Sequence, residues 1–137
     1  MLRLLLIAVL VISPAADVKF KIGQTYKGGK IFFIDKTARH GLIAAPKDFP
    51  EMADWNKAIQ LCKNYKGDGY SDWHLPTKDE LNLLYEKKDL IGGFAPSYYW
   101  SSTEADSKNA WYQVFFNGNQ YGSFKTYTGK VRAVRNF

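Results

Sequence analysis

The hydrophobic pattern between Val18 and Ala45 predicts β structure. Two apolar runs, Lys30 to Asp35 and Leu42 to Ala45, have the length and composition of strands. The more polar segment Thr37 to Gly41 lies between them and is typical of a turn. A β-hairpin is the simplest arrangement of two strands joined in this way.

The next segment has the spacing of an amphipathic helix. Asp54 can accept a hydrogen bond from the first turn of such a helix, and Gly67 to Gly69 should end it. The apolar stripe of this helix consists of Trp55, Ala58, Ile59, Cys62 and Tyr65. Cys62 is the single cysteine, so no internal disulfide can form, and its position in the stripe predicts a buried, unreactive thiol.

A second helix is predicted by the run GYSDWHLPTKDEL at residues 69–81. Pro76 favours an extended conformation for Leu75, which brings the chain straight into Thr77. Thr77 and Glu80, three residues apart, form a capping box. We therefore expect the helix to begin at Lys78.

The chain becomes strongly β-like from residue 98 onward. The predicted strands are Tyr98 to Thr103, Ala110 to Phe116, Gln120 to Tyr127 and Val131 to Phe137. The dipeptide Asn117-Gly118 favours a hairpin turn between the second and third of them. Alternation along the third strand places Tyr121 on one face and Phe124 on the other, toward the core.

The run around Trp73 resembles the DWRLPT-type signature of a bacterial domain family that includes the C-terminal domain of the Legionella collagen-like adhesin, the Lcl C-terminal domain family. Other matching segments occur in order: IGQTYKGGKIFFID at 22–35, HGLIAAP at 40–46, YWSSTE at 99–104, AWYQVFFNG at 110–118 and VRAVRNF at 131–137. The resemblance implies one domain over residues 17–137, of α+β class and C-type-lectin-like fold. In that fold we expect two helices packed on a twisted antiparallel sheet.

The first sixteen residues have the features of a secretory signal peptide. Arg3 precedes an apolar run from Leu4 to Ile12, and small residues follow at Ser13 and Ala15. Cleavage after residue 16 leaves 121 of the 137 residues, enough for a single domain with its own core. The sequence thus predicts a secreted or periplasmic protein without a transmembrane segment after cleavage.

The composition predicts a packed and mostly β interior with a basic surface. Hydrophobic residues make up 46% of the chain and aromatic residues 16%. Removal of Arg3 leaves 18 basic against 13 acidic residues, a formal charge of +5. Such a surface favours polyanionic partners, although an excess of lysine can also serve solubility alone. Secretion makes nucleic acid the least expected of the polyanions, so we predict no nucleic-acid partner.

The sequence offers little material for catalysis. It contains no phosphate-binding loop, no GxSxG motif and no HExxH motif, and its only histidines are His40 and His74. We expect a turn or supporting role for His40, and a surface or hydrogen-bonded role for His74. Turn and capping roles explain the acidic residues between Asp68 and Glu80 better than calcium binding does. We therefore predict no enzymatic activity, no catalytic residue, no metal and no cofactor.

The best candidate binding site is the polar and aromatic face of the C-terminal strands. Aromatic rings can stack on sugars, and lysine or arginine can pair with sulfate or carboxylate groups. The predicted ligand-binding residues are Asn117, Asn119, Tyr121, Lys125, Tyr127, Lys130 and Arg132. Ordinary surface tyrosines and solubilising lysines are the alternative explanation of this pattern. Arg135 shares its register with apolar residues, so we expect it to be buried and paired, with Glu104 or Asp106 as candidate partners.

These observations predict a secreted, non-enzymatic binding domain. The resemblance implies an adhesin-like role, with acidic glycans, glycosaminoglycan-like polyanions or an envelope polysaccharide as the ligand. A structural or protein-interaction module of a bacterial envelope or adhesin assembly, with a protein partner, is the first alternative. An enzyme of unrecognised type is the second.

Overall fold

The computed structural model describes residues 7–8 and 19–137 of the chain. The predicted signal peptide, residues 1–16, therefore lies outside the described residues except for Ile7 and Ala8. The elements follow one another in the order β1 (Thr25–Tyr26), β2 (Gly29–Ile34), β3 (Gly41–Ala44), α1 (Trp55–Asn64), α2 (Lys78–Glu86), α3 (Lys88–Ile91), β4 (Tyr98–Glu104), β5 (Asn109–Val114), β6 (Gln120–Phe124) and β7 (Val134–Asn136). No helix in this described part is long and apolar enough to cross a bilayer.

The strands form two antiparallel sheets rather than one. The first sheet has the order β1-β2-β3-β7 and the second the order β4-β5-β6. The predicted hairpin of β2 and β3 is confirmed, with Ile31 paired to Ile43. Helix α2 packs against β2 of the first sheet and against β4 and β5 of the second. The α+β class is thus confirmed, and the arrangement is consistent with a C-type-lectin-like fold.

The division into two sheets arises from the path of the last segment. Lys130 runs beside β4, where its N–H donates to Tyr98 O at 2.8 Å and its carbonyl accepts from Trp100 N at 3.1 Å. The chain then crosses to the first sheet, and β7 pairs with β3. The predicted strand Val131 to Phe137 is therefore only Val134–Asn136, and it does not extend the C-terminal sheet as expected.

Both predicted helix starts are confirmed. The Asp54 side chain accepts a hydrogen bond from Lys57 N at 2.9 Å, and α1 begins at the next residue. Helix α2 begins at Lys78 behind a complete capping box, in which Thr77 Oγ1 accepts from Glu80 N at 3.2 Å and Glu80 Oε1 accepts from Thr77 N at 2.9 Å. These side chains satisfy N–H groups that a helix leaves without intrahelical partners.

Helix α1 ends at Asn64, before the predicted glycine stop. Tyr65 leaves the helical conformation at φ −66° and ψ 133°. Its ring lies 5.5 Å from that of Phe49 and 5.0 Å from that of Trp73, so aromatic packing holds Tyr65 outside the helix. Trp73 is buried, as expected, and its indole N–H donates to Gly67 O at 3.1 Å.

The first sheet separates two groups of buried apolar side chains. Ile31 and Ile43 pack with Cys62 of α1, and this position confirms the predicted burial of the thiol. Phe32 packs on the other side with Leu84 of α2. Burial raises the pKa of Cys62 to about 12, which keeps the thiol protonated and unreactive.

Candidate functional site

Three tyrosines on neighbouring strands form a row on one face of the second sheet. We call this face, which carries Tyr98, Tyr112 and Tyr121, the outer face; the face that packs on α2 is the inner face. Tyr112 pairs with Tyr121 across the strands. The ring centroids are 5.6 Å apart for Tyr98 and Tyr112 and 5.9 Å apart for Tyr112 and Tyr121. Tyr98 and Tyr121 each expose 47% of their surface, so the row is open to solvent.

The row borders a cleft of about 430 Å³, which we call the tyrosine cleft. The sheet contributes Tyr98, Trp100, Tyr112 and Ser123, and the facing segment contributes Tyr127, Thr128 and Gly129. Small-molecule sites have volumes of roughly 300–1,000 Å³, and the cleft falls within that range.

The floor of the tyrosine cleft is fixed by Trp100. This indole is almost completely buried, and its N–H donates to Ala53 O at 2.9 Å. Gly129 lies directly against the ring, because a Cβ built at this position would be 3.0 Å from Trp100 atoms. Any larger residue at position 129 would displace either the floor or the facing wall of the cleft.

The lining of the cleft is uncharged and combines apolar rings with hydroxyl groups. Its side chains offer hydroxyl groups, and none of the lining residues carries a formal charge. Burial, followed by the proximity of Tyr98 and Tyr121, raises the pKa of Tyr112, so this hydroxyl stays protonated near neutral pH. Tyrosine hydroxyls both donate and accept hydrogen bonds, and the rings present flat apolar surfaces. The cleft can therefore contact a ligand that has apolar faces and hydroxyl edges.

Four of the predicted site residues lie together at this surface. Tyr127 lines the cleft and exposes 58% of its surface. Asn119 donates from Nδ2 to the hydroxyl of Tyr121 at 3.1 Å, and Asn117 Oδ1 accepts from Asn119 N at 2.9 Å. The turn that carries the two asparagines therefore adjoins one end of the tyrosine row. Whether these residues bind a ligand stays a prediction.

The predicted lysines do not join the tyrosines. Lys125 Nζ lies 3.2 Å from Glu104 Oε2 and 4.5 Å from the ring centroid of Trp55, so the ammonium group is already paired. Lys130 forms a parallel bridge with Tyr99. Because residues paired across strands point to the same side, the Lys130 side chain lies on the inner side of the sheet, away from the cleft.

The prediction that Arg132 contacts a ligand is wrong. Only 1% of this residue is exposed, and its Nε lies 2.7 Å from Asp48 Oδ1. The guanidinium group also donates to the carbonyls of Ala45 at 3.1 Å and Gly93 at 2.9 Å. The error follows from the path of the chain, because residues 131–133 leave the second sheet and run into the core.

Two further expectations are corrected by the structure. Phe124 is 50% exposed rather than buried, because it lies at the end of β6; its ring packs 5.4 Å from that of Tyr127 instead. Arg135 is buried and paired as expected, but its partner is Asp72, at 2.8 Å, and not Glu104 or Asp106. The guanidinium group of Arg135 also stacks 3.7 Å above the ring of Tyr70.

Sequence reasoning missed Tyr98, Trp100 and Tyr112 as members of the site. A usable signal was present in β4, where alternation puts Tyr98 and Trp100 on the same face. The pairing of Tyr112 with Tyr121 was harder to foresee. Gly118 N donates to Val114 O at 2.7 Å, and this wider turn sets a register that a two-residue Asn117-Gly118 turn would not give.

A second cleft, of about 710 Å³, lies beside the turn between β1 and β2. Its lining includes Tyr26, Lys27, Lys30 and Asp68. The cleft is larger than the tyrosine cleft, but four of its thirteen lining residues are glycines, and its two tyrosines, Tyr26 and Tyr65, are only partly exposed. We therefore take the tyrosine cleft as the candidate site.

The histidines have structural partners. His74 Nε2 lies 3.1 Å from Glu80 Oε1, which confirms the expected hydrogen-bonded role. His40 Nδ1 lies 3.2 Å from Phe137 O. Within the described residues, no group of three or more His, Cys, Asp or Glu side chains is placed to hold a metal ion. The absence of a metal and of catalysis stays a prediction.

Comparison with known proteins gives one result on the family of this chain. No curated protein matches it. The model of the Lcl C-terminal domain matches residues 35–135, which include all of α1, α2 and the second sheet. Since this match covers most of the chain, the protein belongs to the Lcl C-terminal domain family.

Proposed function

We propose that this protein is a secreted, non-enzymatic domain that binds carbohydrate in the tyrosine cleft. The observation that carries the proposal is the row of solvent-exposed tyrosines beside a cleft lined by hydroxyl groups. Pyranose rings have flat C–H faces and hydroxyl rims, so one side packs on aromatic rings while the edge forms hydrogen bonds. The cleft offers both kinds of contact within the span of three strands.

The rigidity of the site supports the same proposal. Tyr98 and Tyr112 are held on paired strands, and the Trp100 floor is anchored by a hydrogen bond to the main chain. A ligand that docks on fixed rings does not have to order them first, so less binding free energy is lost to side-chain entropy. The signal peptide predicted from residues 1–16 supports an extracytoplasmic setting, where glycans are abundant.

The test is a glycan-array screen of the purified protein, with Tyr98→Ala and Tyr121→Ala as site variants. Phe116→Ala is the matched control, because Phe116 is an aromatic residue that is 61% exposed and lies outside the cleft. We expect wild type and Phe116→Ala to bind the same glycans and the two tyrosine variants to lose them. Equal binding by all four proteins would move the site elsewhere, and a blank array from folded protein would contradict the proposal.

A protein-interaction module is the second candidate, and two observations favour it. Strand β6 is an edge strand of its sheet, and such edges can pair with a strand of another chain. Leu90 and Phe116 are apolar residues with more than half of their surface exposed. A blank glycan array, together with a binding partner whose capture is lost in Phe116→Ala, would favour this candidate over the first.

A further inference from the structure

We infer that the ligand of the tyrosine cleft is an uncharged glycan and not a polyanion. This inference rests on the proposed function, since it concerns the ligand class of the same site. It differs from the expectation drawn from composition, in which the basic residues of the chain select an acidic partner.

The first argument is the chemistry of the lining. A sulfate or carboxylate that enters a cleft loses water, and this cost is recovered only when cationic groups or several strong donors meet the charge. The tyrosine cleft offers aromatic rings and single hydroxyls, with no lysine, arginine or histidine in its wall. The pKa of Tyr112 is raised, so its hydroxyl also stays uncharged in mildly alkaline solution. A neutral sugar incurs no such cost.

The second argument is the position of the basic residues that were expected to serve the site. Lys125 is paired with Glu104 and donates to Ser107 O at 3.1 Å, so an anion would have to break existing contacts to recruit it. Arg132 is buried against Asp48. Lys130 points to the opposite side of the sheet because it pairs with Tyr99. The three basic residues that were expected at the site therefore do not line the tyrosine cleft.

The second cleft is the alternative binding site for an acidic glycan in the same molecule. Lys27 and Lys30 both line it, together with Tyr26, so an acidic glycan would find cations there rather than in the tyrosine cleft. Asp68 lies in the same wall and opposes an anion. The two clefts therefore make opposite predictions for ligand charge, for salt dependence and for the variants that abolish binding.

The experiment measures binding of two sets of probes to the intact protein by calorimetry. The neutral set is cellohexaose, xylohexaose and mannohexaose, and the acidic set is a heparin hexasaccharide and hexagalacturonate. Each is titrated at about 50 mM and about 500 mM NaCl, since screening by salt weakens charge–charge attraction. The variants are Tyr98→Ala and Tyr112→Phe for the tyrosine cleft, and Lys27→Glu/Lys30→Glu for the second cleft. Tyr112→Phe removes one hydroxyl and keeps the ring, so it tests the site even if larger changes impair folding.

We expect at least one neutral probe to bind with a dissociation constant that changes less than about twofold between the two salt concentrations. Tyr98→Ala should weaken it by about fivefold or more, and the double lysine variant should leave it unchanged. Binding of the acidic probes alone, steeply weakened by salt and lost in Lys27→Glu/Lys30→Glu, would overturn the inference. Acidic binding that is lost in Tyr98→Ala would also overturn it, while leaving a carbohydrate function in place. If neither set binds, the proposed function itself fails, and the inference fails with it.

Discussion

Two adjacent tyrosines of β4 lie on opposite faces of the second sheet and differ in exposure and in hydrogen bonding. Tyr98, on the outer face, is half exposed and meets the ring of Tyr112 edge-on. Tyr99, on the inner face, is fully buried; its hydroxyl donates to Asp48 Oδ2 at 2.6 Å and accepts from Ala95 N at 2.9 Å. The hydroxyl of Tyr99 stabilises the fold through these two hydrogen bonds, while the side chain of Tyr98 is accessible to solvent or to a ligand.

The same contrast holds for the other polar groups of the sheet. On the inner face, the buried Gln113 donates from Nε2 to Asn82 Oδ1 and to Gly118 O, both at 3.0 Å, and its Oε1 accepts from Gln120 at 3.2 Å. Across the described residues, every buried side-chain nitrogen or oxygen has a hydrogen-bond partner. Since an unpaired buried polar group is costly, these groups are tied to the structure. Exposure to solvent is what distinguishes Tyr98 and Tyr121, the candidate binding groups, from these buried groups.

The largest change in the free energy of unfolding should come from substitution of Arg132, which joins the inner face to two loops. Arg132→Ala leaves Asp48 without its cation and the carbonyls of Ala45 and Gly93 without donors. Breaking a buried ion pair on one side costs about 3–5 kcal/mol, and we expect a loss of this size in the free energy of unfolding. Urea denaturation followed by tryptophan fluorescence measures it.

Arg39 provides the matched control for that experiment, because it is an exposed arginine on the turn between β2 and β3. Arg39→Ala should unfold at the same urea concentration as wild type. An Arg132→Ala protein that is as stable as wild type but has lost glycan binding would contradict this prediction. It would mean that Arg132 contacts the ligand and does not stabilise the fold.

Removal of the hydroxyl should have an intermediate effect on stability at Tyr99 and no effect at Tyr98. Tyr99→Phe removes a hydroxyl that serves Asp48 and Ala95, and we expect it to lower the free energy of unfolding by about 1–3 kcal/mol. Tyr98→Phe removes an exposed hydroxyl, so its stability should equal that of wild type. Parallel urea titrations of the two variants make the measurement. Equal losses in both would mean that the outer hydroxyl is also tied to the fold.

Local sequence signals predicted much of this fold because their physical causes are local. Asp54 and Thr77 cap helices through hydrogen bonds to residues three positions later, and both helix starts are where the sequence placed them. The burial of Trp73 and Cys62 followed from their neighbours along the chain. The family was also recognisable, since its motifs occur in order along most of the sequence.

The path of residues 130–136 could not be read in the same way. An alternating strand pattern indicates which side chains share a face, but it does not indicate which sheet the strand joins. Lys130 pairs with β4 while Val134 pairs with Ala44 of β3, so the segment changes sheets within four residues. Arg132 lies at this crossing, and its burial depends on Asp48, a distant partner in sequence. Lys130 and Arg132 leave the predicted site for this reason, and Lys125 is instead paired with Glu104. Tyr121 and Tyr127 depend only on β6 and the turn after it.

The smallest expected effect is a pH dependence of the free energy of unfolding, which should arise from His74 and Glu80 and not from the tyrosine cleft. The hydrogen bond with Glu80 raises the pKa of His74 above its ordinary value of 6.5, against the lowering effect of burial, and the charge of Asp72 adds to the rise. A raised pKa in the folded state means that protonated His74 stabilises the fold. This contribution is complete below pH 6.5 and is lost as the pH rises through the raised value. The pair is partly exposed, so it is worth only about 0.2–1 kcal/mol.

The free energy of unfolding of wild type relative to His74→Gln should therefore be higher at about pH 6 than at about pH 8. Glu80 lies in the first turn of α2, the helix that packs on the inner face, so the titration acts on that side of the sheet. The tyrosine cleft has no histidine or carboxylate in its wall, and the pKa of Tyr112 is shifted upward. Glycan binding should then stay constant while stability changes. A binding constant that follows the His74 titration would show that the two faces are coupled through the sheet, and that the tyrosine row is not as independent of the core as its exposure indicates.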